Sequence, residues 1–247
     1  MRSEVMRVKC ADCPLRKRRI FAEMSADEVM FMQDFKVGEL EVERGTVVLL
    51  EGSNSPQLFT VLSGMGLRYK TLPNGRRQVL NFVYPGDFLG MQAGLMQEMK
   101  HTVEASTKMT LCVFDRKSLW RVFREHPSRA FDLTWLAAEA EHFLGDAMAT
   151  VGQKDAEARV AWALVKVFVR SDELGLVIGT ACPLPFRQQD LADALGLSLV
   201  HTNKTLARFR ERQLAVWHGG KLRIPDLEPL QEIGMVEEAG RGQRPLM

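Results

Sequence analysis

From about Gly38 to Phe114, short apolar and β-branched clusters alternate with turn residues. Thr46-Val47-Val48-Leu49-Leu50 and Leu58-Phe59-Thr60-Val61-Leu62 are such clusters; Gly45, Gly52, Gly64, Asn74-Gly75 and Pro85-Gly86 mark the corners. Asn-Gly supplies the positive φ angles of a two-residue hairpin, so this stretch predicts a small antiparallel roll or barrel. After Lys117 the alternation stops and helical spacing takes over until about Arg170. Leu133, Leu136, Ala140, Phe143, Ala147 and Thr150 recur at steps of three and four. They share one helix face, suited to pairing with the same helix of a second copy. A helix packed on its own domain would show the same stripe. A further helix is expected over Ala156 to Phe168, followed by a loop carrying Gly175, Gly179, Pro183 and Pro185.

The stretch Gln188 to Leu206 has the pattern of a helix-turn-helix. Ala192 is small where a second helix must cross closely, Gly196 can take the left-handed conformation of the turn, and Leu191, Leu195, Leu197 and Leu199 fill the contact. Ser198 is placed to cap the second helix. Leu214 to Trp217 and Lys221 to Ile224 flank Gly219-Gly220 and read as the two strands of a wing. In such a motif the first residues of the second helix meet base edges in the major groove. Those residues are Val200, His201, Asn203 and Lys204. Asn can pair with adenine, Lys can donate to guanine O6 or N7, and Val offers an apolar contact to a thymine methyl. Arg187, Gln188, Ser198 and Arg208 are placed for the phosphate backbone. Thr202 and Thr205 stand where larger apolar residues are more usual.

Composition narrows the alternatives. A chain of 247 residues, 46% hydrophobic and 26% charged, fits two globular domains with a connecting element. No apolar run approaches the roughly 18 residues of a membrane span. Met1 to Val8, with Arg2, Glu4 and Arg7, lacks the apolar core of an export signal, so a cytoplasmic protein with no membrane partner is expected. The net charge of +2 hides basic ends: residues 1–20 hold seven Lys/Arg against two acids, and residues 183–224 hold seven against three. Such patches favour phosphate backbones, although a solvated basic face would look the same. No P-loop, dinucleotide fingerprint, nucleophile elbow or zinc-protease spacing occurs, and the five histidines are scattered, so no enzyme is expected. In a reducing compartment the four cysteines point to metal or redox chemistry rather than disulfides.

A glycine-punctuated roll, a long helix and a winged helix-turn-helix, in that order, resemble the CRP/FNR superfamily of bacterial regulators over nearly the whole chain. The resemblance implies an α+β fold: an N-terminal double-stranded β-helix (a jelly roll like the cyclic-nucleotide-binding domain), a long dimerisation helix and a C-terminal winged helix-turn-helix. The implied boundaries are a cysteine-bearing segment at 1–24, the roll at 25–117, the dimerisation helix at 118–152, the DNA-binding domain at 153–230 and a tail at 231–247, frayed from Gly240. The family implies a homodimer on an inverted-repeat operator in double-stranded DNA, contact with RNA polymerase, and an environmental input (redox, oxygen or small ligand) through the roll. A regulatory module with a protein partner in place of DNA is the alternative.

Cyclic-AMP-binding members carry a Gly-Glu-Leu turn and a later Arg-Ser or Arg-Thr. This chain reads Gly86-Asp87-Phe88-Leu89-Gly90 and Met99-Lys100-His101-Thr102-Val103. Lys100 offers a charge but not the planar fork, so cyclic AMP is disfavoured. The turn and cysteines are more similar to the FNR/FixK-like branch, in which an N-terminal cysteine cluster and a distant cysteine hold an iron–sulfur cluster. Cys10, Cys13 and Cys112 match three of its ligands. At the places for the fourth stand Arg19 and Phe21, and the remaining thiol, Cys182, falls in the other domain. In the reading helix, Val200 stands where many members have Glu and Lys204 where they have Arg, which implies an altered half-site.

Overall fold

The structure, a computed structural model, describes residues 8–236 and 242–247. The export reading of Met1 to Arg7 and the part of the expected tail at 237–241 lie outside the described residues. The chain divides into two compact units, one formed by Met1–Lys70, Asn81–Ala140 and Gln243–Met247, the other by Thr71–Leu80 and Glu141–Gly242.

In the first unit, helix α1 (Ala26–Phe35) starts at a capping box: the Ser25 hydroxyl accepts from Glu28 N–H while the Glu28 carboxylate accepts from Ser25 N–H. The strands, in this unit but for Thr71 and Arg77–Leu80, are β1 (Lys36–Val42), β2 (Val47–Leu49), β3 (Gln57–Ser63), β4 (Gly66–Thr71), β5 (Arg77–Val83) and β6 (Phe88–Leu89), then helix α2 (Met91–Met96), β7 (Thr102–Ala105) and β8 (Met109–Asp115). They form two four-stranded sheets, ordered β1-β8-β3-β6 and β2-β7-β4-β5. Strand periodicity explains the two cores. Phe59, Val61, Val103, Leu111 and Val113 join one cluster that draws on both sheets. Their neighbours Leu58 and Phe114 point the other way, into a second cluster with Phe31, Phe35 and Phe88. The roll expected from the turn spacing is thus present.

The expected helix at 118–152 is two helices. Helix α3 (Leu119–Glu125) stops at His126, and helix α4 runs Pro127–Gln153. Proline disfavours the helical region for the residue before it, and His126 sits at φ −137°, ψ 75°. The stripe on α4 needs a larger correction. Leu133 and Leu136 are buried in the second cluster and Thr150 is buried as well. Ala140, Phe143 and Ala147 are half-buried, the Phe143 ring lying 5.9 Å from that of Trp162. This face packs on its own chain. The opposite face, two residues out of phase, carries Phe131, Thr134, Ala138, Glu141, Gly145 and Met148, all exposed.

The second unit holds helix α5 (Ala156–Glu173), strand β9 (Ala181–Pro183), helices α6 (Gln188–Leu195) and α7 (Leu199–Glu211), strands β10 (Val216–His218) and β11 (Lys221–Arg223), and helix α8 (Glu228–Gly234). Asp155 caps α5 by accepting from Ala158 N–H at 2.8 Å. That helix runs one turn beyond the expected Phe168, and the expected loop contains β9, which pairs with β11. The tail expected from 231 also differs. Residues up to Gly234 complete α8, and Leu246 and Met247 are buried in the first unit rather than frayed.

Candidate nucleic-acid interface

The helix-turn-helix is formed by α6 and α7. Gly196 ends α6 at φ +64°, the left-handed conformation that a turn this tight requires and that a side chain would resist, and Leu197 N–H closes it on the Ala192 carbonyl at 3.1 Å. Ala192, Leu191 and Leu195 are buried, as their spacing foretold, whereas Leu197 is half-buried and Leu199 is exposed. Ser198 caps α7, its hydroxyl accepting from His201 N–H at 3.2 Å. Thr202 and Thr205 are fully buried beside Phe209. The small hydroxyls fit because Thr202 donates back to the Ser198 carbonyl at 3.1 Å, and Thr205 accepts from Arg208 at 3.4 Å.

With that face turned inward, Val200, His201, Asn203 and Lys204 are all exposed near the start of α7, Val200 at 65%. The geometry brings the four reading candidates onto one free surface. Arg187 and Gln188 stand at the start of α6. The Arg187 guanidinium pairs with Asp190 at 2.9 Å, and Arg208 lies 3.5 Å from Glu157 on α5. Both are exposed enough to exchange a carboxylate for a phosphate oxygen.

Asp190 was not singled out by its sequence. It is buried, and it accepts from Arg187 N–H at 2.8 Å, from the Arg187 side chain, and from Arg77. Arg77 also pairs with Asp193 at 3.1 Å. Burial pushes the Asp190 carboxyl up, but the bonds from Arg187 and Arg77 outweigh it and hold it below its ordinary value. The only sequence signal was an acid three residues into a helix, the position that closes a capping box.

The wing is present as two paired strands joined by Gly219-Gly220, both at positive φ (+58° and +72°), the pair of angles a two-residue hairpin turn needs. Trp217 Nε1–H donates to the Leu184 carbonyl at 3.2 Å and fixes the hairpin to the chain before α6. Lys221 and Arg223 alternate with buried Leu222, so both basic side chains are exposed.

The cysteine ligand set is placed differently from a four-thiolate site. Cys10 and Cys112 both border the second core cluster, and burial raises both thiols, Cys112 to about 12. Lys36 stands beside them and opposes that rise. Its ammonium donates to Glu39 at 2.5 Å and to the Val8 carbonyl at 2.7 Å, with both side chains only 3% exposed. No group of three His, Cys, Asp or Glu side chains among the described residues is close enough to hold a metal ion. Two thiols that burial holds protonated beside an ammonium, Cys10 and Cys112, do not fit an iron–sulfur cluster, whose ligands are thiolates. Cys182 is buried in the second unit. In the nucleotide-like stretch, Lys100 pairs with Glu98, both half exposed. Burial and the nearby Arg68 lower His101 to about 4, so its ring is neutral at pH 7.

A capped reading helix, its buried back and a two-stranded wing define a winged helix-turn-helix DNA-binding protein. The comparisons agree: residues 39–126 match the cyclic nucleotide-binding domain and residues 158–233 the Crp-like helix-turn-helix domain. The nitrogen fixation regulation protein FixK of Bradyrhizobium diazoefficiens is 30% identical over 85% of this chain and 88% of its own. The transcriptional activatory protein AadR of Rhodopseudomonas palustris is 30% identical over 71% of this chain and 72% of its own. The solved structure of FixK2 from Bradyrhizobium japonicum superposes with a TM-score of 0.72 at 24% identity, covering 79% of this chain and 96% of that one. The chain belongs to the CRP/FNR family of transcription regulators, in its FNR/FixK-like branch. Among the described residues, no helix is long and apolar enough to cross a membrane.

Proposed function

We propose that the chain acts as a homodimer on an inverted-repeat operator, with Val200, His201, Asn203 and Lys204 reading each half-site and Arg187, Gln188, Ser198 and Arg208 holding phosphates. The observation that carries this reading is the exposed row on α7, backed by buried Thr202, Thr205 and Phe209. Lys221 and Arg223 on the wing add phosphate contacts. The dimer seam is the exposed face of α4 through Phe131, Ala138 and Gly145, seven residues apart, and Met148 three residues on, a heptad-like spacing that suits two helices side by side. The first unit carries the input, by a route other than a four-thiolate cluster, and the DNA-bound dimer meets RNA polymerase. Selection of bound sequences from random duplexes tests the reading. An inverted repeat shifted as one two-chain complex is the expected result; selection of a single half-site, or of no sequence, overturns it.

A further inference from the structure

After α8 the chain rejoins the first unit as Gln243–Met247, and the contacts it makes there are those of a bound peptide. Its backbone pairs with an edge formed by Ile20 to Ala22. Arg244 N–H donates to the Ile20 carbonyl at 2.7 Å, and Ala22 N–H donates to the Arg244 carbonyl at 2.8 Å. Polar side chains anchor it at both ends. The Arg244 guanidinium lies 3.4 Å from the Asp87 carboxylate, and the Thr60 hydroxyl donates to the Met247 main-chain oxygen at 2.5 Å. Arg129 donates to the Leu246 carbonyl and, at 3.5 Å, to the Met247 sulfur.

Leu246 and Met247 are each 4% exposed, and Met247 joins the cluster of Phe31, Phe35, Leu58, Phe88 and Phe114. Arg129 is itself 3% exposed, and its Nε has no hydrogen-bond partner among the described residues. A guanidinium buried at the floor of a groove is costly unless the groove is filled with acceptors. Here Asp132 on α4 pairs with one guanidinium nitrogen at 2.6 Å, and the segment supplies the acceptor for the other.

We propose that the first unit contains a peptide-binding groove, with Arg129, Thr60 and Asp87 as its polar anchors, and that Gln243–Met247 is its tethered occupant. Recognition combines parallel backbone pairing with Ile20–Ala22, an isolated bridge outside the two sheets, and two buried apolar side chains, a short form of the backbone pairing by which extended peptides are bound. A molecule offering an extended backbone and apolar side chains would compete with the segment.

The test is amide hydrogen exchange on the full chain, with no DNA present, so its result is independent of operator binding. In the unmodified protein the Ala22 amide should exchange on the order of 100-fold more slowly than in an unstructured peptide. Replacing Leu246→Asp together with Met247→Asp should remove that protection while the β3 and β8 amides keep theirs. A synthetic peptide of residues 239–247 in excess should restore it to the variant and change nothing in the unmodified chain. Arg244→Pro, which deletes the N–H given to Ile20, is the second variant should the first lose its fold. Unchanged Ala22 protection in both variants, or no restoration by the peptide, overturns the proposal.

Discussion

At the residue scale, side chains at the reading helix divide by burial. Val200 is free of the fold, so its replacement tests recognition rather than stability. A carboxylate accepts from cytosine N4, which Val cannot do, and one good base contact is worth about 1–3 kcal/mol of discrimination. Val200→Glu should therefore move the preferred half-site toward a G·C pair at one position, with the melting temperature within a degree or two of the parent; an unchanged preference in a selection from random duplexes would put this helix in a different register on DNA. Asp190 is the opposite kind of residue. Breaking a buried pair leaves its partners uncompensated, so Asp190→Asn should cost about 2–4 kcal/mol by denaturant unfolding at pH 7. Because the folded carboxyl is held below its ordinary value, that stabilisation is complete above the unfolded pKa of about 3.9 and is lost as pH falls through the folded value. The gap between parent and variant should accordingly narrow below about pH 4.

At the element scale, α4 has two stripes with the same three-and-four rhythm, one of them interrupted by Thr134 and Glu141. Spacing alone cannot say which of them faces the chain's own core. Leu133, Leu136 and Phe143 are the larger and more aliphatic set, which is why they stand out in the sequence. That size is also why Leu133 and Leu136 are buried and Phe143 half-buried, since the biggest apolar side chains gain most from the core. The remaining face, with Ala138 and Gly145 between Phe131 and Met148, is small enough for a second helix to approach closely. Met148→Asp should give monomers in size-exclusion chromatography with an unchanged circular-dichroism spectrum. Phe143→Asp should instead destabilise the fold itself, because it disrupts the packing on Trp162. A dimer surviving Met148→Asp and Phe131→Asp together would place the seam off this helix. The roll and the helix-turn-helix were far more legible than α4. Gly75, Gly196 and Gly219-Gly220 each mark a turn by a positive φ that few residues adopt, and Ser198 marks a cap. Asn74 does not share that φ, and the connection from Thr71 to Arg77 is longer than the expected two-residue hairpin. What the sequence hid were contacts between distant residues, such as Arg77 with Asp190 and the seating of Leu246 and Met247, for which no local pattern exists.

At the scale of the whole molecule, a net charge of +2 is too small to draw the chain to DNA, so the attraction must come from where the cations sit. Lys204 on α7, with Lys221 and Arg223 on the wing, is exposed within the second unit, and each phosphate neutralised releases condensed counterions. Operator affinity should fall steeply with salt, the logarithm of the association constant losing about 0.9 per phosphate contact for each tenfold rise in salt concentration. Lys221→Ala, which leaves buried Leu222 in place, should weaken binding to all sequences alike and make that slope shallower by about 1 for each protomer that uses the contact. Lys17→Ala, at an exposed cation of the first unit, is the comparison. Filter binding from low to high salt separates the cases: a shallower slope for Lys221→Ala alone assigns the wing to the phosphate backbone, whereas equal slopes for both variants and the parent would mean the wing does not touch DNA.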